Sequence, residues 1–370
     1  MRAAFCIALF ACLGLGQNGE PEKIFQEALA AQQRGDFTLA VRDYQRLLEI
    51  RPDSVEVLAN LGAALVHLNR FDDAIANYRS ALKLDPENGA IRLNFGLAFY
   101  KKGDFRSAAE QFEMLRKTHP GDPRVTTLAG DCYTRLGQIE KALAILEPVQ
   151  QAHPDDLDLT YVLGSAMVRG GRRRDGVALL ERVGKAGKSA DAYMLAGSTL
   201  LDLNEFEQAR RDLETALELN PNLPGIDVLC GIARDKTGDP NSAEPEFRKA
   251  LETNPSDFQA NLYLGAILYK RRELQSARQY LERALDVNPS SSMARYEIAL
   301  VKSASGDLDA AVRDLERVVT GDPNWLEPHV ELAALYYKMH RQADGLRERQ
   351  IVDRLSSAEQ KRGPTEAPPL

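Results

Sequence analysis

The chain has 370 residues, with 47 Lys and Arg against 54 Asp and Glu, for a formal net charge of −7. An acidic balance of this kind argues against general nucleic-acid binding. Four cysteines and five histidines, with neither Cys-x-x-Cys nor His-Glu-x-x-His spacing, offer no metal-ligand pattern and no cofactor signature.

Residues 1–16 read as a secretory signal: Arg2 is the charged end, Ala3 to Leu13 the apolar stretch, and Gly14-Leu15-Gly16 a small-x-small cleavage site. The apolar run is too short to span a bilayer. Leu9-Phe10-Ala11-Cys12 resembles a bacterial lipobox, which would make Cys12 a lipid anchor instead. Gly14 to Gly19 also spells G-x-G-x-x-G, but no βαβ unit surrounds it, so no dinucleotide site is expected.

From residue 21 onward the chain repeats itself. Alanine recurs every 34 residues at Ala40, Ala74, Ala108 and Ala142, and again at Ala209, Ala243, Ala277 and Ala311. Glycine keeps the same step at Gly62, Gly96, Gly130 and Gly164, and resumes one residue early at Gly197, Gly231 and Gly265. Proline does likewise at Pro52, Pro86, Pro120 and Pro154. Such a period marks a solenoid, whose units bury their apolar faces only against stacked neighbours, so one elongated domain accounts for the length.

In residues 55–88, Leu58, Leu61, Gly62 and Leu65 share one face of a first helix, and Ala74, Ile75, Tyr78, Ala81 and Leu82 share one face of a second. Between them stands Asn69, with equivalents Gly35, Gly103, Gly137, Gly171, Asn204, Gly238 and Gly306, all tolerant of a left-handed helix end. Pro86 stops the second helix. Small residues at the Gly62 and Ala74 places let the two helices approach closely, and a bulky residue at either should split the hairpin.

This pattern resembles the tetratricopeptide repeat family. Ten units register at 21–54, 55–88, 89–122, 123–156, 157–189, 190–223, 224–257, 258–291, 292–325 and 326–359. No unit has Trp at the first signature place. Ile24, Leu58, Arg92, Thr126, Thr160, Tyr193, Asp227, Asn261, Arg295 and His329 stand there, and the place reads as merely variable. The resemblance implies an all-α, right-handed α-solenoid whose first helices line a concave groove that binds a peptide or protein segment.

In residues 55–88 that groove face comprises Glu56, Ala59, Asn60, Ala63, Val66 and His67. Asn60 and Asn94 stand at the place where the family holds a peptide backbone, and their amides carry both donor and acceptor; Leu128, Val162 and Leu195 end the ladder. A basic row follows on the last turns of first helices: Lys101, Arg135, Arg169, Lys236, Lys270 and Lys338. It could meet an acidic peptide or a free carboxylate, or simply complement the helix dipole. Tyr100, Tyr161, Tyr263, Tyr269, Tyr296 and Tyr337 add amphipathic contact area on the same side.

The segments outside the array are too short for a catalytic module, so no enzyme is expected. Cys132 and Cys230, three repeats apart, read as core residues without a disulfide. The unit 157–189 is one residue short, places Gly176 where alanine is usual, and ends Gly184-Lys185-Ala186-Gly187-Lys188 without proline, so 184–190 reads as the weakest junction. Its Arg172, Arg173 and Arg174 read as a solvated turn. Pro148 and Pro245 fall inside second helices and should kink them. The last unit reads as a polar cap, with residues 360–370 a disordered tail. The expected protein is an exported scaffold; the alternatives are a lipid-anchored envelope assembly factor and an accessory subunit recruiting a transferase.

Overall fold

The computed structural model describes residues 19–362, of which 359–362 are described by backbone alone. The expected signal, Cys12 and residues 363–370 lie outside the described residues. Among the described residues the chain is entirely helical, with twenty helices in repeated hairpins. The first five hairpins pair α1 (Glu20–Gln33) with α2 (Phe37–Ile50), α3 (Val55–His67) with α4 (Phe71–Leu84), α5 (Gly89–Lys102) with α6 (Phe105–Thr118), α7 (Pro123–Arg135) with α8 (Ile139–Ala152), and α9 (Leu157–Arg169) with α10 (Arg173–Gly187). First and second helices go on alternating as α11 (Ala190–Asp202), α12 (Phe206–Leu219), α13 (Ile226–Lys236), α14 (Pro240–Thr253), α15 (Phe258–Lys270), α16 (Leu274–Val287), α17 (Ser292–Ala304), α18 (Leu308–Gly321), α19 (Leu326–Lys338) and α20 (Gln342–Arg362). No described helix is long and apolar enough to cross a membrane.

Local chemistry fixes each helix end. Ser54, Asn88, Asp156 and Asp257 accept backbone N–H groups at the starts of α3, α5, α9 and α15, satisfying donors that have no partner within the helix. All eight turn residues marked by the sequence have positive φ, and so do Arg272 and His340 at the same place in two other repeats. Within hairpins, a methyl group added at Gly62 would stand 2.8 Å from the Tyr78 ring, one at Gly96 2.5 Å from Phe112, and one at Gly231 2.6 Å from Phe247. Tyr78, Phe112 and Phe247 are fully buried, so these glycines make room for the largest core side chains.

The place dismissed as variable does structural work that the sequence reading missed. Arg92 donates to the carbonyl oxygen of Pro86 at 2.5 Å, Asn261 to that of Pro255 at 3.0 Å, and Arg295 to that of Pro289 at 2.6 Å. His329 sets Nε2 3.1 Å from the carbonyl oxygen of Pro323, and because a carbonyl only accepts, that nitrogen carries the hydrogen. Three of the four also reach the second helix of their own hairpin: Arg92 to Gln111 at 3.3 Å, Arg295 to Asp314 at 3.5 Å, and His329 Nδ1 to Glu348 at 2.6 Å. Each clasp ties an inter-repeat turn to the hairpin that follows. At Pro154, whose successor place holds Thr160, Arg182 of α10 bonds both instead.

The chain divides into two compact units, residues up to Thr199 and residues from Leu200 onward, with the boundary inside α11 rather than at 184–190. In the first unit the junction 184–190 is closed. The helix α10 runs on to Gly187, Lys188 turns left-handed at φ 48°, and Ser189 Oγ accepts from the Ala192 N–H at 3.3 Å. The Tyr193 ring fills the space above Gly184. The turn arginine Arg172 pairs with Glu147 of α8 and with Asp175. In the first unit the core runs from Ile24 to Cys132 and continues through Ala142 to Met167.

In the second unit the core runs from Val228 to Val301, and a further cluster joins α17, α18 and α19. The prolines Pro148 and Pro245 lie within helices that continue through them. The terminal helix α20 extends to Arg362, into the expected tail, and carries Leu346 54% exposed.

Candidate protein-binding face

The first helices of the first unit do not present the surface their residue types promised. Asn60 is 0% exposed and Asn94 4%, while Ala59, Ala63 and Val66 are buried beside Asn60. The amide ladder is therefore enclosed by its surroundings instead of standing on an open face, which corrects the peptide-backbone role expected for it. His67 stacks on Phe37 with ring centroids 4.1 Å apart, and partial burial together with Lys101 holds its imidazole below the usual histidine range.

Arg135 is likewise committed. Its Nε donates to Asp131, one turn earlier on α7, at 2.7 Å, and its guanidinium lies 5.1 Å from the Phe105 ring centre and 5.5 Å from that of Tyr100. The Tyr100 hydroxyl donates to the same carboxylate, and burial plus that carboxylate push its pKa up. Tyr161 is half-buried under the field of Asp191, Asp131, Arg135 and Arg169, and Arg169 is exposed. Asp131 was the missed residue; its signal was the four-residue step to Arg135, which brings the two together on one helix face.

In the second unit Lys236 sits 5.8 Å over the Tyr263 ring, which stacks on Phe247 at 5.5 Å. Lys270 acts on Glu297, whose carboxyl is raised above the usual range by burial, with Lys270 opposing the shift and Asp235 adding to it. Tyr269 and Tyr296 are partly buried, and both lie in the field of Glu331 and Glu297, so their hydroxyls stay protonated. Tyr296 leans on Trp325 at 5.0 Å. Tyr337 is 37% exposed, its ring edge lying over Gly345 of α20, and Lys338 is exposed. Of the basic row, Arg135 is thus met by a carboxylate and two rings and Lys236 by a ring, while Arg169 and Lys338 stay exposed.

Glu297 and Glu331 were also missed. They occupy the Asn60 place three and four repeats beyond Leu195, where the ladder was taken to have ended, so the 34-residue step itself was the signal.

No group of His, Cys, Asp and Glu suited to a metal occurs among the described residues. Burial pushes the Cys132 and Cys230 thiols up to about 12, so both behave as small core groups. A cleft of about 420 Å³ between α6 and α8 gathers Arg106, Glu113, Lys117, Tyr133 and Lys141, a mixed-charge lining.

Models of the tetratricopeptide repeat match residues 25–89, 69–132, 190–223, 231–292 and 267–324. The chain belongs to the tetratricopeptide repeat family. Repeats of this family build protein-interaction scaffolds, and the hairpin stack described above is of that kind. Among solved structures, pilF of Pseudomonas aeruginosa is similar over 57% of this chain and 97% of its own, at 20% identity and a TM-score of 0.50. YrrB, described as a TPR protein with an unusual peptide-binding site, is 17% identical over 48% of this chain and 92% of its own, at a TM-score of 0.41. MamA of Desulfovibrio magneticus RS-1 is 23% identical over 47% of this chain and 97% of its own, at 0.39. Comparison with curated protein sequences finds no match.

Proposed function

We propose that this tetratricopeptide repeat protein is an exported, non-enzymatic scaffold that holds a segment of another protein along the first-helix face of its second unit. The observation that carries the reading is the succession of partly exposed, mostly apolar side chains there. Tyr269 stands on α15, Met293 (38% exposed) and Tyr296 on α17, and Val330 (45% exposed) and Tyr337 on α19. Aromatic and methionine side chains at this density are the contact material of protein interfaces. Export rests on residues 1–16; the mass of the mature N-terminus separates simple cleavage from a lipid at Cys12.

The test is a photo-reactive phenylalanine analogue at position 269 or 296 of the full chain in its native host, with position 50 on the end of α2 as control. A distinct protein captured from 269 and 296 alone supports the scaffold; identical capture from all three positions removes it. A transferase among the captured proteins would favour the accessory-subunit reading.

A further inference from the structure

We infer that the face of α15, α17 and α19 receives a lysine- or arginine-bearing protein segment, the cationic side chain lying between Tyr269 and Tyr296 against Glu297 and Glu331. The inference deepens the scaffold reading and rests on it. It reverses the charge expected from the basic row, because carboxylates stand in the middle of α17 and α19, and the lysines stand at the helix ends.

Most half-buried acids of this unit have a partner. Asp227 pairs with Lys249 at 2.7 Å, Glu244 with Arg248 at 2.6 Å, Glu246 with Arg234 at 2.5 Å, Asp314 with Lys302 at 2.6 Å, and Glu348 meets His329. Glu297 and Glu331 accept no hydrogen bond and enter no ion pair among the described residues, although neither is freely exposed. Lys270 acts on Glu297 through space without bonding it, and a carboxylate held away from water without a bonded partner is unfavourable, so a cation arriving from another molecule supplies what is missing.

The company of these two acids narrows the chemistry. Two tyrosine rings, kept neutral by burial and further by the same carboxylates, offer π faces to a guanidinium or ammonium group, while the acids offer charge-assisted hydrogen bonds. Beside them Val330 and Tyr337 present apolar surface against which the long stem of Arg or Lys can lie. An acidic segment would meet Glu297 and Glu331 head-on, so the same residues select against it.

The experiment uses the full chain and three short Ala-Gly peptides differing only in whether they carry Arg, its neutral isostere citrulline, or Glu. Fluorescence polarisation should show the Arg peptide bound roughly tenfold tighter than the citrulline peptide, and the Glu peptide weaker than either. The paired substitution Glu297→Gln with Glu331→Gln should erase the preference for Arg while leaving citrulline binding unchanged, and Tyr269→Leu should weaken both. Equal affinity for Arg and citrulline, tighter binding of Glu, an unaffected double variant, or no binding of any peptide would overturn the cation assignment. A partner captured by crosslinking despite such a result leaves the scaffold standing; the absence of capture removes the scaffold itself.

Discussion

Gly176 lies so close to Gly164 that a methyl group on it would stand 2.7 Å from the Gly164 carbonyl oxygen and 2.9 Å from the backbone nitrogen of Val168. Where eight of the hairpins place alanine against a helix, α9 and α10 meet backbone to backbone. Gly176→Ala, which restores the usual residue and gains about 0.5–1 kcal/mol of helix preference, should nevertheless destabilise by a net ~1–3 kcal/mol, because backbone atoms cannot rotate aside. Urea denaturation of the full chain measures it. A stabilised variant would mean the two helices can separate freely.

Ala277 is 0% exposed at the contact of α15 and α16, whereas Ala334 on α19 is exposed. Leucine at 277 should cost ~1–3 kcal/mol and leucine at 334 almost nothing. Ala59, taken from sequence as a groove residue, is 1% exposed and should behave like Ala277. Equal melting of the 277 and 334 variants would refute the packing described.

Arg272 and His340 adopt φ 65° and 59° at the turn place that glycine or asparagine fills elsewhere. Side chains there strain the backbone, so His340→Gly or Arg272→Gly should stabilise by roughly 0.5–1 kcal/mol after the loss of unfolded-state order is counted. Differential scanning calorimetry on the single variants decides; a lower transition temperature for both would count against it.

Glu297 carries a pH signature of definite sign. Burial holds its folded pKa above the ordinary glutamate range, so between that range and the raised value the folded chain binds more protons than the unfolded one. Its contribution is therefore fully present at acidic pH and lost as pH rises through the window. Glu297→Gln should flatten that fall and leave the chain at least as stable at neutral pH. Denaturation curves at mildly acidic and neutral pH provide the test, and a variant that is less stable only at neutral pH would reverse the sign.

His329→Phe keeps ring volume but strands the Pro323 carbonyl and the Glu348 carboxylate, both of which now meet the imidazole. The loss of two bonds at a site 4% exposed should cost ~1–3 kcal/mol and speed hydrogen exchange in α20 ahead of α17. Unchanged exchange in α20 would show that the clasp is idle.

The fold was legible because its signals are local: a glycine facing Tyr78, a left-handed Asn69 and a stop at Pro86 recur with one period, and each acts within its own hairpin. The face was only partly legible. Tyr269 and Tyr296 were picked out by helical spacing, but the burial of Asn60 depends on what packs around it, and no single-helix pattern reports that. Arg135 looked available because the reading of the basic row left out its partner Asp131. The place of Arg92, Arg295 and His329 looked arbitrary because what those residues share is the ability to donate, which a comparison of residue names does not reveal.

The clasp has a consequence for how such arrays can be rebuilt. Its donor and its side-chain acceptor, such as Arg295 with Asp314, sit in the same hairpin, and the neighbour contributes only a proline carbonyl. A hairpin copied or transplanted next to another unit therefore carries the specific half of its own coupling with it and asks of its new neighbour a feature of the main chain. Shuffling whole hairpins should preserve the joint, whereas exchanging α17 without α18 should break it.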